Sequence, residues 1–264
     1  MLRQRLITAF VGLAVLILVI LFGGMWGWAA FVALAGVLGA IEFYSMAGHS
    51  GARPLVLLGC LWIALLILSP LSLQSNQTAF LVSSAGLVAS FVWLLAREHK
   101  EGALVSWAIT LAGVLYIGWL SRYLVALRGL EDGRDWLLLA MFATFATDST
   151  AYFIGRSWGR HPLAPKVSPA KTIEGAVAGL SGGIAAALLL GYLLDLPLSA
   201  WQALLLGLLV GASAQLGDLT ESLFKRSLGA KDSGKLMPGH GGILDRADSI
   251  LLSGIVVYYY VIYL

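Results

Sequence analysis

The sequence predicts an all-α integral membrane protein with many spanning helices. Of its 264 residues, 59% are hydrophobic and only 12% are charged, whereas a soluble domain is about half apolar and about a quarter charged. Apolar stretches long enough to cross a hydrocarbon core, which takes about 20 helical residues, recur along nearly the whole chain. A soluble fold could not bury that much apolar surface, so the solvent of this chain is lipid.

Hydropathy predicts about nine transmembrane helices, centred near residues 15, 34, 62, 88, 114, 146, 183, 208 and 254. The first apolar segment follows Arg3 and Arg5, as in a secretory signal. It continues through Gly23 and Gly24 into a second apolar stretch without a convincing cleavage site, so we interpret it as an uncleaved first span. Residues 1–264 are therefore expected to form a single membrane domain.

The basic residues predict the orientation of the spans. With a cytoplasmic N-terminus, all 17 Lys and Arg residues except Arg122, Arg128 and Arg134 fall on the inner side. This asymmetry follows the positive-inside rule and predicts a C-terminus on the outer side of the membrane. We expect a multi-pass protein of the cell membrane, which is the inner membrane in a bacterium. The single cysteine, Cys60, excludes an intramolecular disulfide and a Cys-based metal site.

The two halves of the chain differ in character. Residues 1–135 have short connections and few polar groups within the spans, and we predict a helical scaffold there; Glu42 and Arg122 receive no role. Residues 136–264 contain the two longest inner connections, residues 155–172 and 217–242. Long connections in a compact fold are where function tends to lie, so this half is expected to be catalytic.

Residues 218–248 carry as many acidic as basic side chains, which excludes a polybasic patch for anionic lipids. Phosphate chemistry uses both kinds of side chain, because carboxylates hold a divalent cation while Lys and Arg hold phosphoryl oxygens. Asp245 and Asp248 lie three residues apart, so they can share one helix face and a metal ion. The alternative is that Asp245 pairs with Arg246 or caps the helix.

A glycine-rich loop precedes these two acids. Gly239, Gly241 and Gly242 would let backbone N–H groups approach an anion without a side chain in the way. His240 could act as a general base, as a hydrogen-bond donor to phosphate or as a structural residue. We do not expect it to be a metal ligand.

A second polar cluster occupies residues 155–176, on the same predicted side of the membrane. It places Arg160, Lys166, Ser168 and Lys171 ahead of a helix that Thr172 could simply open as a cap. A positive inner loop is also what topology alone would produce. Asp148, within the sixth predicted helix, should face a polar cavity, pair with a base on a neighbouring helix or serve a proton relay.

These motifs resemble those of the phosphatidate cytidylyltransferases, also called CDP-diacylglycerol synthases. The C-terminal signature of that family is matched by Ser222, Lys225, Arg226, Lys231, Asp232, Gly234, His240, Gly241, Gly242, Asp245, Arg246 and Asp248. Its upstream motifs are matched by Asp148, Ala151, Tyr152, Gly155, Pro165, Lys166, Ser168, Pro169, Lys171, Thr172, Glu174 and Gly175. The resemblance spans about residues 145–250. Ala170 and Ala247 depart from the residues that are usual there, and neither replaces a charged group with an assigned role.

The resemblance implies that CTP and phosphatidate react to give CDP-diacylglycerol and pyrophosphate. It implies that Asp218, Asp245 and Asp248 hold Mg²⁺, with a second cation as an option. Lys225, Arg226 and His240 complete the implied catalytic set, His240 orienting a substrate. The implied substrate-binding residues are Asp148, Arg160, Lys166, Ser168, Lys171, Thr172, Ser222, Lys231, Asp232, Gly241, Gly242 and Arg246.

This interpretation also predicts the partners of the protein. CTP would arrive from the cytoplasm and phosphatidate from the bilayer, and no nucleic acid is expected. Helices rich in Gly and Ala make a homodimer plausible. Two alternatives remain: a CTP-dependent lipid-alcohol kinase, which would transfer the γ-phosphoryl group instead, and a cation-coupled transporter.

Overall fold

The computed structural model describes residues 2–48, 51–97, 101–234 and 241–264, with side chains from Phe10 onward. Within these ranges the chain forms nine longer helices and one short 3-10 helix, Ser69–Leu71, and each predicted helix centre falls inside one of the nine. The helices are α1 Leu2–Phe22, α2 Gly24–Gly48, α3 Val56–Leu68, α4 Ser75–Ala96, α5 Ala103–Arg128, α6 Gly133–Trp158, α7 Ile173–Leu193, α8 Ala200–Ser227 and α9 Leu244–Ile262.

The multi-pass membrane character is confirmed. Among the described helices, six are long and apolar enough to cross a membrane: α2, α4, α5, α6, α7 and α8. Large apolar side chains such as Leu57, Phe80 and Trp201 are exposed, as expected of surfaces that face lipid. The count of nine spans and their orientation stay predictions.

The chain divides into two compact units. The first comprises Met1–Gly129 and Ser227–Arg246, and the second comprises Leu130–Arg226 and Ala247–Leu264. The loop that carries much of the C-terminal signature thus groups with the N-terminal helices.

Small residues allow close packing around aromatic side chains in the first unit. The Tyr44 ring fills the space beside Gly59 and Gly113, where a Cβ on either glycine would overlap it. The Tyr44 hydroxyl donates to the Thr110 carbonyl oxygen at 2.9 Å. Within α5 a π-helical segment, Val114–Trp119, precedes Arg122, which is buried and lies over the rings of Trp119 and Tyr123.

Glycines set the helix spacing in the second unit. Gly175 and Gly179 bring α7 against α6 at Ala151, and Gly207 and Gly211 bring α8 against α7. Small residues permit such close approach of helix backbones in a membrane, where packing rather than apolar burial drives association. These glycines lie at contacts between helices of the same chain, so they give no information on a dimer interface. The homodimer stays a prediction.

A two-stranded hairpin joins α6 to α7, a feature that an all-α expectation omits. Strands β1 (Pro162–Ala164) and β2 (Ser168–Thr172) pair antiparallel. The prolines of this segment disfavour a helix, since proline lacks the N–H that a helix interior needs. Thr172 caps α7, as the alternative interpretation proposed, because its Oγ1 accepts from the Gly175 backbone N–H at 3.1 Å.

Helix α8 is longer than the sequence indicated. Residues from Gly217 onward were predicted as part of a connection, but the helix continues to Ser227. An ion pair between Glu221 and Lys225, four residues apart, supports the added turns. Lys225 and Arg226 in the last turn also complement the negative end of the helix dipole. Asp218, Ser222 and Lys225 therefore lie along one helical face.

Candidate active site

A cavity of about 460 Å³ opens in the second unit, between α6, the hairpin, α7 and α8. Four residues predicted as functional line it: Asp148, Lys171, Thr172 and Asp218. Gln215 and Tyr152 also face it. The cavity thus brings together residues from both sequence clusters of the C-terminal half.

An ion pair joins the hairpin to α8 at this cavity. The Lys171 ammonium lies 2.7 Å from the Asp218 carboxylate, without the geometry of a directed hydrogen bond. Both side chains remain partly exposed, at 24% for Lys171 and 38% for Asp218. The Ser222 hydroxyl, one turn further along α8, approaches the same carboxylate at 3.5 Å. The Lys171 Nζ itself is buried, so a ligand in the cavity reaches the Asp218 carboxylate directly and the ammonium only when this ion pair opens.

Asp248 is buried near this pair and concentrates negative charge. Its carboxylate accepts from the Ser249 backbone N–H at 2.8 Å, is repelled by those of Asp218 and Asp148, and is attracted by Lys225. The Ser249 hydroxyl lies 3.4 Å from an Asp148 oxygen. Gly217 lets α8 pack closely against α9 at Asp248, because a Cβ on residue 217 would overlap the Asp248 carbonyl oxygen.

The two basic residues near the end of α8 differ in their contacts. Lys225 forms an ion pair with Glu221, which is almost completely buried. Arg226 is exposed, and its Nε–H lies 3.4 Å from the Val167 carbonyl oxygen in the hairpin turn. Lys225 is thus the base that acts directly on the Asp248 charge.

The other predicted hairpin residues surround the cavity less closely. Arg160 and Lys166 are exposed, and Ser168 begins β2 partly buried. Glu174 holds the base of the hairpin, since its carboxylate accepts from the backbone N–H groups of Arg160 and His161. A second contact, 2.6 Å long, joins Glu174 to the His161 ring.

The start of α9 forms a separate cluster within the first unit. One Asp245 oxygen accepts from the Gly242 N–H at 2.8 Å and from the backbone N–H and hydroxyl of Ser233 at 3.1 and 2.9 Å. Gly241 has a positive φ of 85°, which favours glycine, and a Cβ there would press on the Asp245 carboxylate. Asp245 therefore organises the loop before α9, as the capping alternative anticipated in part.

The remaining residues of the C-terminal signature lie at the surface or outside the described residues. Lys231, Asp232 and Arg246 are exposed. His240 lies outside the described residues, so its predicted role stays a prediction.

The carboxylates of the second unit fit a hard divalent cation by their chemistry. Within the described ranges, no three Asp, Glu, His or Cys side chains converge closely enough to hold a metal by themselves. Magnesium in nucleotide sites takes one or two carboxylates and completes its shell with water and phosphate oxygens. Asp218 and Asp248 would supply two such carboxylates, because their charges lie close enough to repel each other.

Sequence reasoning missed several residues that the structure places in these clusters. Glu221 was visible four residues before Lys225, a spacing typical of a helical ion pair. Ser249 and Gln215 gave no such signal, because their roles depend on contacts with other helices. The roles of Glu42 and Ser233 were also not predicted, because the residues that they contact are distant in sequence.

The fold and this site define a class of protein: a multi-pass helical membrane protein with acidic and basic side chains around a cavity. The chain belongs to the cytidylyltransferase family, whose model matches residues 3–264. The family predicted from the sequence motifs is thereby confirmed.

Proteins named phosphatidate cytidylyltransferase are similar to this chain over nearly its whole length. The one from Synechocystis sp. is 34% identical, and the match covers 99% of this chain and 97% of that protein. The one from Brucella abortus is 36% identical over 97% of this chain and 92% of the relative. The one from Staphylococcus haemolyticus is 33% identical over 94% and 95%, respectively.

Proposed function

We propose that this membrane protein is a nucleotidyltransferase that transfers the cytidylyl group of CTP to phosphatidate, giving CDP-diacylglycerol and pyrophosphate for phospholipid biosynthesis. The observation that carries the proposal is the cavity among membrane helices, where Lys171 and Asp218 form an ion pair. Membership of the cytidylyltransferase family and the names of the relatives support the same reaction.

The reaction needs little covalent assistance from the protein. A phosphate oxygen of phosphatidate forms a bond to the α-phosphorus of CTP. The bond from that phosphorus to the oxygen bridging to the β-phosphate breaks, and its electron pair leaves with pyrophosphate. The nucleophile is already ionised near neutral pH, since the second pKa of a phosphomonoester is about 6. A strong general base is therefore unnecessary, and we assign His240 an orienting role.

The side chains around the cavity would supply positioning and charge neutralisation, which dominate phosphoryl-transfer catalysis. Lys171 would hold a phosphoryl oxygen, exchanging its contact with Asp218 for one with the substrate. Lys225 would offset the carboxylates that surround Asp248. Arg226, Arg160, Lys166 and Ser168 would provide further phosphate contacts at the hairpin.

We further propose that the enzyme depends on Mg²⁺, held by Asp218 and Asp248. The metal would neutralise charge on the triphosphate and on the departing pyrophosphate. The assignment of Asp245 as an additional ligand and of a second cation rests on the family resemblance.

The substrates determine how the site should be reached. The acyl chains of phosphatidate stay in the bilayer while CTP comes from the cytoplasm, so the cavity should be open to lipid and to the inner aqueous face. We therefore propose an active site on the cytoplasmic side of the cell membrane. Neither the lipid-alcohol kinase nor the transporter is favoured by the family or its named members.

The test uses the full chain purified in detergent with phosphatidate, Mg²⁺ and CTP labelled at the α-phosphate. We expect label in the lipid phase together with released pyrophosphate, and loss of both when Mg²⁺ is chelated. Asp248→Asn should lower the rate by at least about 100-fold, the scale on which a single catalytic electrostatic group acts. Asp135→Asn is the matched control, because Asp135 pairs with Arg134 in the first turn of α6.

Two outcomes would contradict this proposal. Folded wild-type protein that leaves no label in the lipid phase and transfers the γ-phosphoryl group instead would identify a kinase. Equal losses in Asp248→Asn and Asp135→Asn would remove Asp248 from the site.

A further inference from the structure

Glu42, in the middle of the predicted scaffold half, touches the start of the helix that carries Asp245 and Asp248. Its side chain is buried on α2, with only 4% of the residue surface exposed. One carboxylate oxygen accepts from the Leu244 backbone N–H at 3.0 Å. The Ile243 backbone N–H also interacts with this carboxylate.

These contacts meet a need that α9 cannot meet by itself. The first N–H groups of a helix lack partners within the helix, and a side chain that accepts from them stabilises its start. A negative charge at that end also interacts favourably with the helix dipole. Helix α2 thus supplies the N-terminal cap of α9 across about 200 residues of sequence.

Two described glycines before α9 lie against the Glu42 carboxylate. A Cβ on Gly234 or Gly242 would overlap that carboxylate. Gly39, one turn before Glu42 on α2, faces Leu244, and a Cβ there would lie 3.7 Å from the Leu244 Cδ1. The two glycines in the loop therefore permit the approach, whereas Gly39 would tolerate a Cβ at ordinary contact distance.

Ser233 links Glu42 to Asp245. Its hydroxyl lies 2.9 Å from an Asp245 oxygen and 3.4 Å from Glu42 Oε2. A hydroxyl has one proton to donate, so it serves the nearer Asp245, and Glu42 depends on the backbone of α9. Displacing the Glu42 carboxylate would therefore act on Asp245 mainly through the start of α9, and the longer contact with Ser233 is a second route.

We propose that Glu42 is a positioning residue of the cytidylyl transfer: its carboxylate fixes the first turn of α9 and thereby the orientation of Asp245. The proposal rests on the proposed function, since it takes Asp245 as part of the catalytic apparatus. It also gives the N-terminal helices a part in activity beyond that of a scaffold.

The kinetic test compares Glu42→Ala and Glu42→Gln with Tyr44→Phe. Tyr44 is equally buried on the same helix, but among the described residues its hydroxyl binds Thr110 of α5. We expect Glu42→Ala to lower kcat by about 10- to 100-fold, because small displacements of a catalytic group are costly. The KM values for CTP and phosphatidate should stay within about threefold.

The two other variants define the cause of that loss. Glu42→Gln should recover part of kcat, since its amide oxygen can still accept from the Leu244 N–H. Tyr44→Phe should stay within about twofold of wild type in kcat, although it also removes a buried hydrogen bond.

A second measurement does not depend on activity. Hydrogen exchange over residues 241–248 should be faster in Glu42→Ala than in wild type and unchanged in Tyr44→Phe, because only the first variant releases the start of α9.

The two measurements separate the possible failures. Unchanged exchange in Glu42→Ala would overturn the anchoring role, whatever the activity. Faster exchange with an unchanged kcat, or equal loss of kcat in Glu42→Ala and Tyr44→Phe, would overturn the positioning role. Folded wild-type protein that forms no CDP-diacylglycerol would overturn the proposed function itself.

Discussion

Lys171 and Asp218 come from different elements, β2 and α8, and meet at the cavity. Both side chains are partly exposed, although the Lys171 Nζ itself is buried, and a partly exposed ion pair contributes only about 1 kcal/mol or less to stability. Stability alone therefore does not account for placing these charges beside the cavity. Lys171 could bind a phosphate group and Asp218 could bind a cation, and breaking their ion pair would cost little folding free energy.

This view predicts strong coupling between the two side chains in catalysis. Lys171→Gln and Asp218→Asn should each lower kcat/KM by about 100-fold or more. The double variant should be no more than about tenfold worse than the poorer single variant, since groups that act as a unit are not additive. Lys171→Arg should recover part of the activity because it keeps the charge. Steady-state rates of the four variants test this, and fully additive losses would contradict it.

The sequence could predict Lys171, Asp218 and Asp248 from the polar clusters and the family resemblance, and for Asp148 and Asp248 also because charged residues within apolar segments need a reason to be there. It could not predict the role of Glu42 in the same way. Glu42 satisfies that rule equally, but its partner Leu244 is 202 residues away. Only the packing of α2 against the start of α9 distinguishes a cap from any other acid in a span.

At the scale of elements, hydropathy located the helices but not their ends. A hydropathy-based prediction ends a helix where the apolar residues stop. It therefore assigned the residues from Gly217 onward to a connection. The helix continues because Glu221 and Lys225 pair one turn apart. The spacing of Asp218, Ser222 and Lys225 fits a single helical face, but this face was not predicted, because residues 217–242 were interpreted as a connection.

The hairpin was less accessible to sequence reasoning. Its prolines exclude a helix, but they do not specify strand pairing. The pairing depends on contacts at its base, where the Ile173 N–H donates to the His161 carbonyl oxygen at 2.9 Å and Glu174 binds two backbone N–H groups. These contacts place Lys171 at the cavity.

The interface between α6 and α7 yields a prediction on stability. A Cβ on Gly175 would lie 2.7 Å from the Ala151 carbonyl oxygen and 3.0 Å from the Gly155 Cα. Gly175→Ala should therefore destabilise the fold by about 1–3 kcal/mol through overpacking. Gly27→Ala on α2 is the matched control, since nothing lies within 4 Å of its added Cβ. It should be neutral or stabilise by up to about 1 kcal/mol.

Thermal unfolding of both glycine variants in one detergent checks this difference. Cytidylyl transfer should fall in Gly175→Ala as well, because Gly175 lines the cavity. Equal unfolding temperatures for the two variants would contradict the close contact of α6 with α7.

At the scale of the whole molecule, the chemistry requires a fixed orientation. CTP is a cytoplasmic nucleotide, so the hairpin and the end of α8 must face the cytoplasm if they bind it. The positive-inside rule leads to the same orientation independently, because the basic residues of both segments lie on one predicted side. Helix α7, which is long and apolar enough to span, separates the hairpin from the connection before α8.

Cysteine labelling tests that orientation. The single native cysteine is first removed by Cys60→Ala, and Ser157→Cys or Ser199→Cys is then introduced at exposed positions that flank α7 and the hairpin. A membrane-impermeant maleimide should label Ser199→Cys in spheroplasts and Ser157→Cys only in inside-out vesicles. The reverse pattern would put the hairpin on the outer face, where CTP is not available, and would contradict both the topology and the access of CTP. Labelling of both positions from one side would instead show that α7 does not span the membrane.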